Sequence, residues 1–357
     1  MRVLFRADAS TAIGSGHVAR CATLAQALAA AGHDVDFACR ALAGDLNRWL
    51  EAEGFHVRRL AAPAASAMAE SEDAAATADA IGGRHYDWLI VDHYGLGAAW
   101  EQAMAATADR VFVIDDLGRH HHCAALLDQN YRNPAHALYG GRVPPQCELL
   151  LGAQFALLRP QFAALRAKSL SRRRDGVSRI VVFMGGGDPA NETCKVLDGL
   201  SRLAGEQLAI DAVIGEGNAH RSTVESACAR LRATLHVQTP RMAELMTAAD
   251  CAICAAGNIT WERCALGLPG LTTILADNQA AGAETVHAAG GQQLLGWYHN
   301  LVADDYTRAV LALDPARLNR MSAAAAKICD GRGVERVMQL LSRNGHRTKK
   351  SFRAFHA

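Results

Sequence analysis

With 357 residues, half of them hydrophobic and few aromatic, the chain exceeds one modest core and reads as two globular domains rather than a disordered segment. Its 37 basic and 36 acidic residues leave a net charge of +1, which excludes a whole-protein field for nucleic acid or an acidic membrane surface. Ten cysteines lie without the spacing of a disulfide framework, no apolar run approaches the ~18 residues of a membrane span, and the chain starts directly in a strand, so a cytoplasmic protein with reduced thiols is expected.

The opening stretch, RVLFRADASTAIGSGHVAR, reads as an apolar strand from Val3 to Phe5, a glycine loop, and a helix beginning beside His17. Val18, Cys21, Leu24, Ala25 and Leu28 continue at helical spacing, Val35 and Phe37 alternate as a strand, and Leu42, Leu46, Trp49 and Leu50 form another helical stripe. Two runs, Trp88 to Val91 and Val111 to Ile114, are continuously apolar, as parallel strands buried on both faces are, and each ends in acid: Asp92, then Asp115 and Asp116. Between Asn133 and Pro145 the prolines, glycines and tyrosines predict an irregular surface segment leading into Leu149 to Leu151.

Arg166, Lys168, Arg172, Arg173, Arg174 and Arg179 then face one acid, Asp175, and read as a solvated hinge. Beyond it the rhythm restarts: a strand from Ile180 to Phe183, the loop Met184 to Pro189, a helix carrying Val196, Leu197 and Leu200, and further strands at Leu208 to Ile214, Cys251 to Cys254 and Leu271 to Leu275. The expected architecture is α/β, with two doubly wound Rossmann-type domains facing across a cleft. Residues 1–165 form the first, 166–178 a basic linker, 179–342 the second, and 343–357 a basic tail with no assigned role.

Each candidate site has a plain structural explanation beside the functional one. Gly14-Ser15-Gly16-His17 is weak evidence on its spacing alone; it is either a simple turn or a phosphate loop with a base beside it. Met184-Gly185-Gly186-Gly187-Asp188-Pro189 also joins a buried strand to a helix and offers backbone donors to a phosphate, or is only a turn. Glu262 lies one helical turn after Asn258; a carboxylate there accepts from both ribose hydroxyls, or simply faces solvent. Asn278 reads as an N-cap that also reaches the cleft, and Tyr94 as a strand-end residue able to position a sugar or water. His120-His121-His122-Cys123 and Cys251-Ala-Ile-Cys254 have no second ligand set at zinc-like spacing, so no functional metal is expected. Neither a Gly-x-Ser-x-Gly elbow nor a Walker loop occurs, so the residues by themselves lead to a two-domain binder of a nucleotide or nucleotide sugar, with His17 as its best base.

In order along the chain, RVLFRADASTAIGSGHVARCATLA, VDHYG, FVIDD, LLDQN, LLGAQFALLRPQF, VVFMGGGD and DGRGVERV together resemble the UDP-2,4-diacetamido-2,4,6-trideoxy-β-L-altropyranose hydrolases of pseudaminic acid biosynthesis, from residue 1 to about 342. That resemblance implies a GT-B-like fold and a metal-independent, cofactor-free reaction in which water attacks the anomeric carbon, with C–O cleavage, inversion, and release of UDP and free sugar. It implies that His17 deprotonates the water, that Gly14 and Gly16 of the same loop bind substrate, and that Tyr94 and Asn278 lie near sugar and water. Gly185, Gly186 and Asp188 would surround the diphosphate, with Asn258 beside it; Glu262 would hold the ribose and Arg159 would touch substrate from the first domain. Two departures stand out: Ala256-Gly257-Asn258 replaces a serine-bearing loop, and MGGG replaces MGGT or MGGS, so diphosphate contacts there would come from backbone alone. A GT-B glycosyltransferase and a non-catalytic nucleotide-sugar binder of a surface-glycan pathway are the competing readings. The expected partner is a small UDP-sugar, with no nucleic acid and no stable membrane insertion; oligomeric state is left open.

Overall fold

The computed structural model describes residues 1–62, 69–131, 135–172, 175–203 and 208–345. The tail from residue 346, Arg173 and Arg174 of the basic run, and Asn133 at the head of the irregular segment lie outside the described residues.

Two compact units divide the chain. Unit 1 holds seven strands: β1 (Arg2–Ala7), β2 (Asp34–Arg40), β3 (His56–Leu60), β4 (Trp88–Asp92), β5 (Val111–Ile114), β6 (Ala125–Asp128) and β7 (Glu148–Leu151). Their spatial order is β3-β2-β1-β4-β5-β6-β7, every pair parallel. Parallel strands covered by helices on both faces need apolar side chains on both, which is why WLIV and VFVI carry no alternation. One face packs Val3, Phe5, Phe37 and Ile90 into a core with helix α1 (Gly16–Ala30); the other packs Leu4, Leu89, Val91 and Val113 with Trp100.

The helices of unit 1 that follow are α2 (Asn47–Ala52), α3 (Glu70–Ile81) and α4 (Ala98–Ala103). Unit 2 begins at Leu158 with α5 (Pro160–Leu170) and then alternates β8 (Arg179–Phe183), α6 (Glu192–Ser201), β9 (Ala209–Ile214), α7 (Arg221–Leu231), β10 (Thr234–Val237), α8 (Met242–Ala248), β11 (Cys251–Ala255), α9 (Ile259–Ala265), β12 (Gly270–Ile274), α10 (Asp277–Ala288) and β13 (Gln293–Trp297). It closes with α11 (Ala303–Leu311) and α12 (Pro315–Ile328). This second sheet is also wholly parallel, in the order β10-β9-β8-β11-β12-β13.

The unit boundaries fall elsewhere than composition suggested. Arg166 and Lys168 lie inside α5, not in a linker, and the Arg166 guanidinium donates to the carbonyls of Cys329 at 2.9 Å and Ala326 at 2.6 Å. A basic run reads as solvated only until its donors find buried carbonyls. The final helix, α13 (Gly333–Gly345), belongs to unit 1, where Val337 and Leu341 join the core beside α1. Trp88 Nε1 donates to the Leu341 carbonyl at 3.3 Å.

Candidate functional site

In unit 1 the strand order reverses between β1 and β4, and in such sheets ligands bind beyond the carboxyl ends of the two strands at the reversal. Both strands deliver charge there. After β1 the chain makes a tight turn in which Gly14 N–H donates to Ser10 C=O at 2.8 Å, while Ser10 Oγ accepts from Ala12 and Ile13 N–H at 3.2 and 3.0 Å. Gly14 sits at φ +82°, a conformation that favours glycine, so its first duty is the turn itself. The turn leads into α1 at Gly16 and places His17 in its first coil.

His17 is buried, with Nδ1 2.6 Å from Asp92 Oδ1 at the end of β4. Arg20, one turn further along α1, grips both oxygens of the same carboxylate, Nε to Oδ2 at 2.5 Å and Nη2 to Oδ1 at 2.6 Å. Burial alone would push the Asp92 carboxyl up; the Arg20 charge and then His17 overcome that and hold it well below the usual carboxylate range. An ionised carboxylate only accepts hydrogen bonds, so the 2.6 Å contact places the proton on His17 Nδ1 and leaves Nε2 as the basic nitrogen. Arg20 Nη2 also lies 3.3 Å from Nδ1, a longer contact that the shorter one overrides.

The Tyr94 ring stands edge-on to His17, centroids 4.6 Å apart, on a loop that is itself clamped. Arg119 donates from Nη1 to the Tyr94 and Leu96 carbonyls, both at 2.8 Å, and from Nε to Asp115 Oδ1 at 2.8 Å. Asp115 in turn accepts from the backbone of Leu117, Gly118 and Arg119. A second buried ionic cluster lies at the ends of β1 and β2: Arg6 bridges Asp8 and Asp73, both at 2.7 Å, and Arg40 meets Asp73 at 2.6 Å.

The unit 2 loops beyond β8 and β11, also at a reversal of strand order, are built from backbone. Gly185 has φ +90°, and Gly186 C=O accepts from Gly215 N–H at 2.9 Å. A Cβ on Gly215 would lie 2.9 Å from Gly186 Cα, so close approach of two chain segments requires glycine at 215. Asp188, buried at φ 39°, accepts from Glu192 and Thr193 N–H at 2.9 and 2.8 Å. Asp188, expected beside the diphosphate, thus has both carboxylate oxygens engaged by the first N–H groups of α6.

Glu262 lies in α9, where burial pushes its carboxyl up to about 7 against the pull of Arg159, whose Nη2 is 3.9 Å from Oε1. Arg159 belongs to unit 2 and not to the first domain as expected, since the chain changes units just before it; Nη1 donates to the Pro240 carbonyl at 3.2 Å. Asn258 is the exposed N-cap residue of α9. Asn278 is exposed but is no N-cap: α10 starts at Asp277 with Ala276 as its cap, and Gln279 Oε1 accepts from Leu275 N–H at 2.9 Å. His121 is engaged with Glu101 Oε1 at 2.6 Å and Asp115 Oδ2 at 3.5 Å, Cys251 and Cys254 are buried in β11, and among the described residues no group of three or more potential ligands is placed to hold a metal.

No protein-family model matches the chain. It is 30% identical over 203 residues to UDP-2,4-diacetamido-2,4,6-trideoxy-beta-L-altropyranose hydrolase of Campylobacter jejuni, a match covering 57% of this chain and 66% of that protein. It is 28% identical over 196 residues to the spore coat polysaccharide biosynthesis protein SpsG of Bacillus subtilis, covering 53% of this chain and 57% of that one. Both matches thus span less than two thirds of the relative's length. The chain is related to nucleotide-sugar-processing proteins. Its structure is similar to the crystal structure of Acinetobacter baumannii MurG with a TM-score of 0.70 at 14% identity, covering 96% of this chain and 99% of that one, and its fold is GT-B.

For a nucleotide-sugar-processing protein, the residues that sequence reasoning missed are Asp92 and Arg20. Asp92 is legible in the sequence only as the acid that ends a buried strand. The available signal for Arg20 is its place one turn after His17, beside the apolar helical stripe of Val18, Cys21 and Leu24, where a buried guanidinium calls for an anion.

Proposed function

We propose that this chain hydrolyses UDP-2,4-diacetamido-2,4,6-trideoxy-β-L-altropyranose to UDP and the free diacetamido sugar. The observation that carries this reading is the buried His17–Asp92 pair, which fixes the imidazole with Nε2 as its basic face. Nε2 takes a proton from water, the oxygen attacks the anomeric carbon, and the C–O bond to the diphosphate breaks with inversion. Asp92 stabilises the imidazolium that forms without itself taking the proton, and positioned proton transfer of this kind contributes ~10²–10⁴-fold. The loops at Gly185, Gly186 and Asn258 would meet the charge developing on the diphosphate with backbone N–H groups, and ionised Glu262 would accept from the ribose hydroxyls. Tyr94, packed on the imidazole, and Asn278 would line the sugar and water.

The alternative is transfer of the sugar to an acceptor, favoured by the structural likeness to MurG. Purified protein incubated with the UDP-sugar in heavy-oxygen water separates the two. The expected outcome is UDP release without an acceptor and label in the free sugar, not in UDP; release that requires an added acceptor overturns the hydrolase reading.

A further inference from the structure

We propose that Cys123 and Cys147 form a dithiol site in unit 1 that closes to a disulfide on reaction with hydrogen peroxide. The two sulfurs lie 3.6 Å apart. They are brought together by sheet register: Ala125 of β6 pairs with Glu148 of β7, so both cysteines stand just before neighbouring parallel strands. Closure to a bond of ~2 Å requires a sulfur displacement of about 1.5 Å.

The two thiols differ in the way such chemistry requires. Cys147 is half-buried, whereas Cys123 is buried, so the peroxide reaches Cys147 first. Either sulfur can donate in this contact, and with Cys123 as the donor it lowers the Cys147 thiol and raises Cys123; the neighbouring His121 lowers Cys147 further, against its burial. Of the other eight cysteines, Cys21, Cys39, Cys251, Cys254, Cys264 and Cys329 are buried, with thiols raised by burial.

The step balances as follows. The Cys147 thiolate attacks one peroxide oxygen, the O–O bond breaks, and the departing hydroxide takes up the proton released by the thiol, leaving a sulfenic acid and water. The Cys123 sulfur then displaces the sulfenic oxygen, which leaves as a second water with the Cys123 proton. Two thiols and one peroxide give one disulfide and two waters; the sulfurs are oxidised by two electrons and the peroxide is reduced by two. Because β7 is the edge strand with β6 as its single neighbour, the bond would fasten that edge covalently.

The test treats the full chain with stoichiometric hydrogen peroxide, then counts thiols and maps peptides by mass. Two of the ten thiols should disappear, with loss of two hydrogens, a cross-linked Cys123–Cys147 peptide, and full recovery on reduction with dithiothreitol. Cys123→Ser should halt the reaction at a Cys147 sulfenic acid that dimedone traps, and Cys147→Ser should abolish oxidation at this dose; neither variant should change UDP-sugar turnover under reducing conditions. Thiol loss mapping to other cysteines overturns the proposal, as does wild-type protein in which Cys147 is oxidised while Cys123 stays alkylatable.

Discussion

Beyond β1 and β4, unit 1 holds its geometry with charge: His17, Arg20 and Asp92 interlock, Arg6, Asp8, Asp73 and Arg40 lie alongside, and Arg119 ties the Tyr94 loop to Asp115. Beyond β8 and β11, unit 2 holds its geometry with backbone: glycines at positive φ or in close approach, and a buried aspartate spent on a helix cap. Both are strand-to-helix loops at a reversal of strand order, yet one immobilises an imidazole and the other is shaped by glycine backbone, a contrast that suits the base and the diphosphate site of the proposed reaction. Orienting a base needs fixed side-chain atoms, whereas meeting a diffuse diphosphate charge needs N–H groups without side chains in the way.

That contrast predicts that unit 1 substitutions act on turnover and unit 2 substitutions on affinity. The largest effect is expected from His17→Asn, which should lower kcat by ~10³-fold or more while UDP affinity, measured calorimetrically, stays within about twofold. Full turnover by this variant, or a loss confined to UDP binding, would break the division of labour.

Next comes Asp92→Asn. It should lower kcat by ~10²-fold through a misoriented imidazole, and it should destabilise the protein by about 3 kcal/mol because Arg20 is left buried without its anion. Denaturant unfolding combined with steady-state kinetics checks both, and an effect on stability without one on kcat would reduce Asp92 to a structural role.

Gly215→Ala should have the converse profile. The added Cβ meets Gly186 backbone at 2.9 Å, so the loop must shift, and UDP binding should weaken by about tenfold, equivalent to ~1.4 kcal/mol, with kcat nearly unchanged.

An effect of the same size, and the most diagnostic, concerns pH. Glu262 has a carboxyl raised to about 7, and only its ionised form accepts two ribose hydroxyls, so UDP affinity should rise as pH increases through that value. Between pH 6 and 8 the carboxylate fraction changes by about tenfold, and affinity with it. Glu262→Gln should flatten this dependence, and the difference between the two proteins removes the titration of the diphosphate itself. A profile identical in both would exclude Glu262 from the ribose.

The same contrast explains what could be read from residues in advance. Strands such as Trp88 to Val91 and Ile180 to Phe183 announce themselves because burial on both faces forces an unbroken apolar run, and the glycine loops after β1 and β8 show where each helix begins. β3, with one buried residue, and β10, with none, escape notice because their exposed faces dilute the pattern. His17 could be singled out by its loop, but its partner lies 75 residues away, and no local period encodes a contact at that range. Arg159 was assigned to the wrong half for a similar reason: the change of unit at residues 157/158 carries no compositional mark, whereas the conspicuous basic run that follows lies partly in a helix.

The return of α13 to unit 1 sets an order on how the protein is made. Unit 2 is built essentially from one continuous stretch, Leu158–Gly331, and has its whole core available before the last helix is synthesised. Unit 1 does not. Val337 and Leu341 close its core against α1, Gly333 approaches Ala156 so tightly that a Cβ would lie 2.2 Å from its carbonyl oxygen, and the Leu341 carbonyl receives Trp88 of the strand that ends in Asp92. During translation the unit whose strands emerge first is therefore the one whose core is closed later, by a helix that begins some 240 residues after Asp92, by the difference between Gly333 and Asp92 in the sequence.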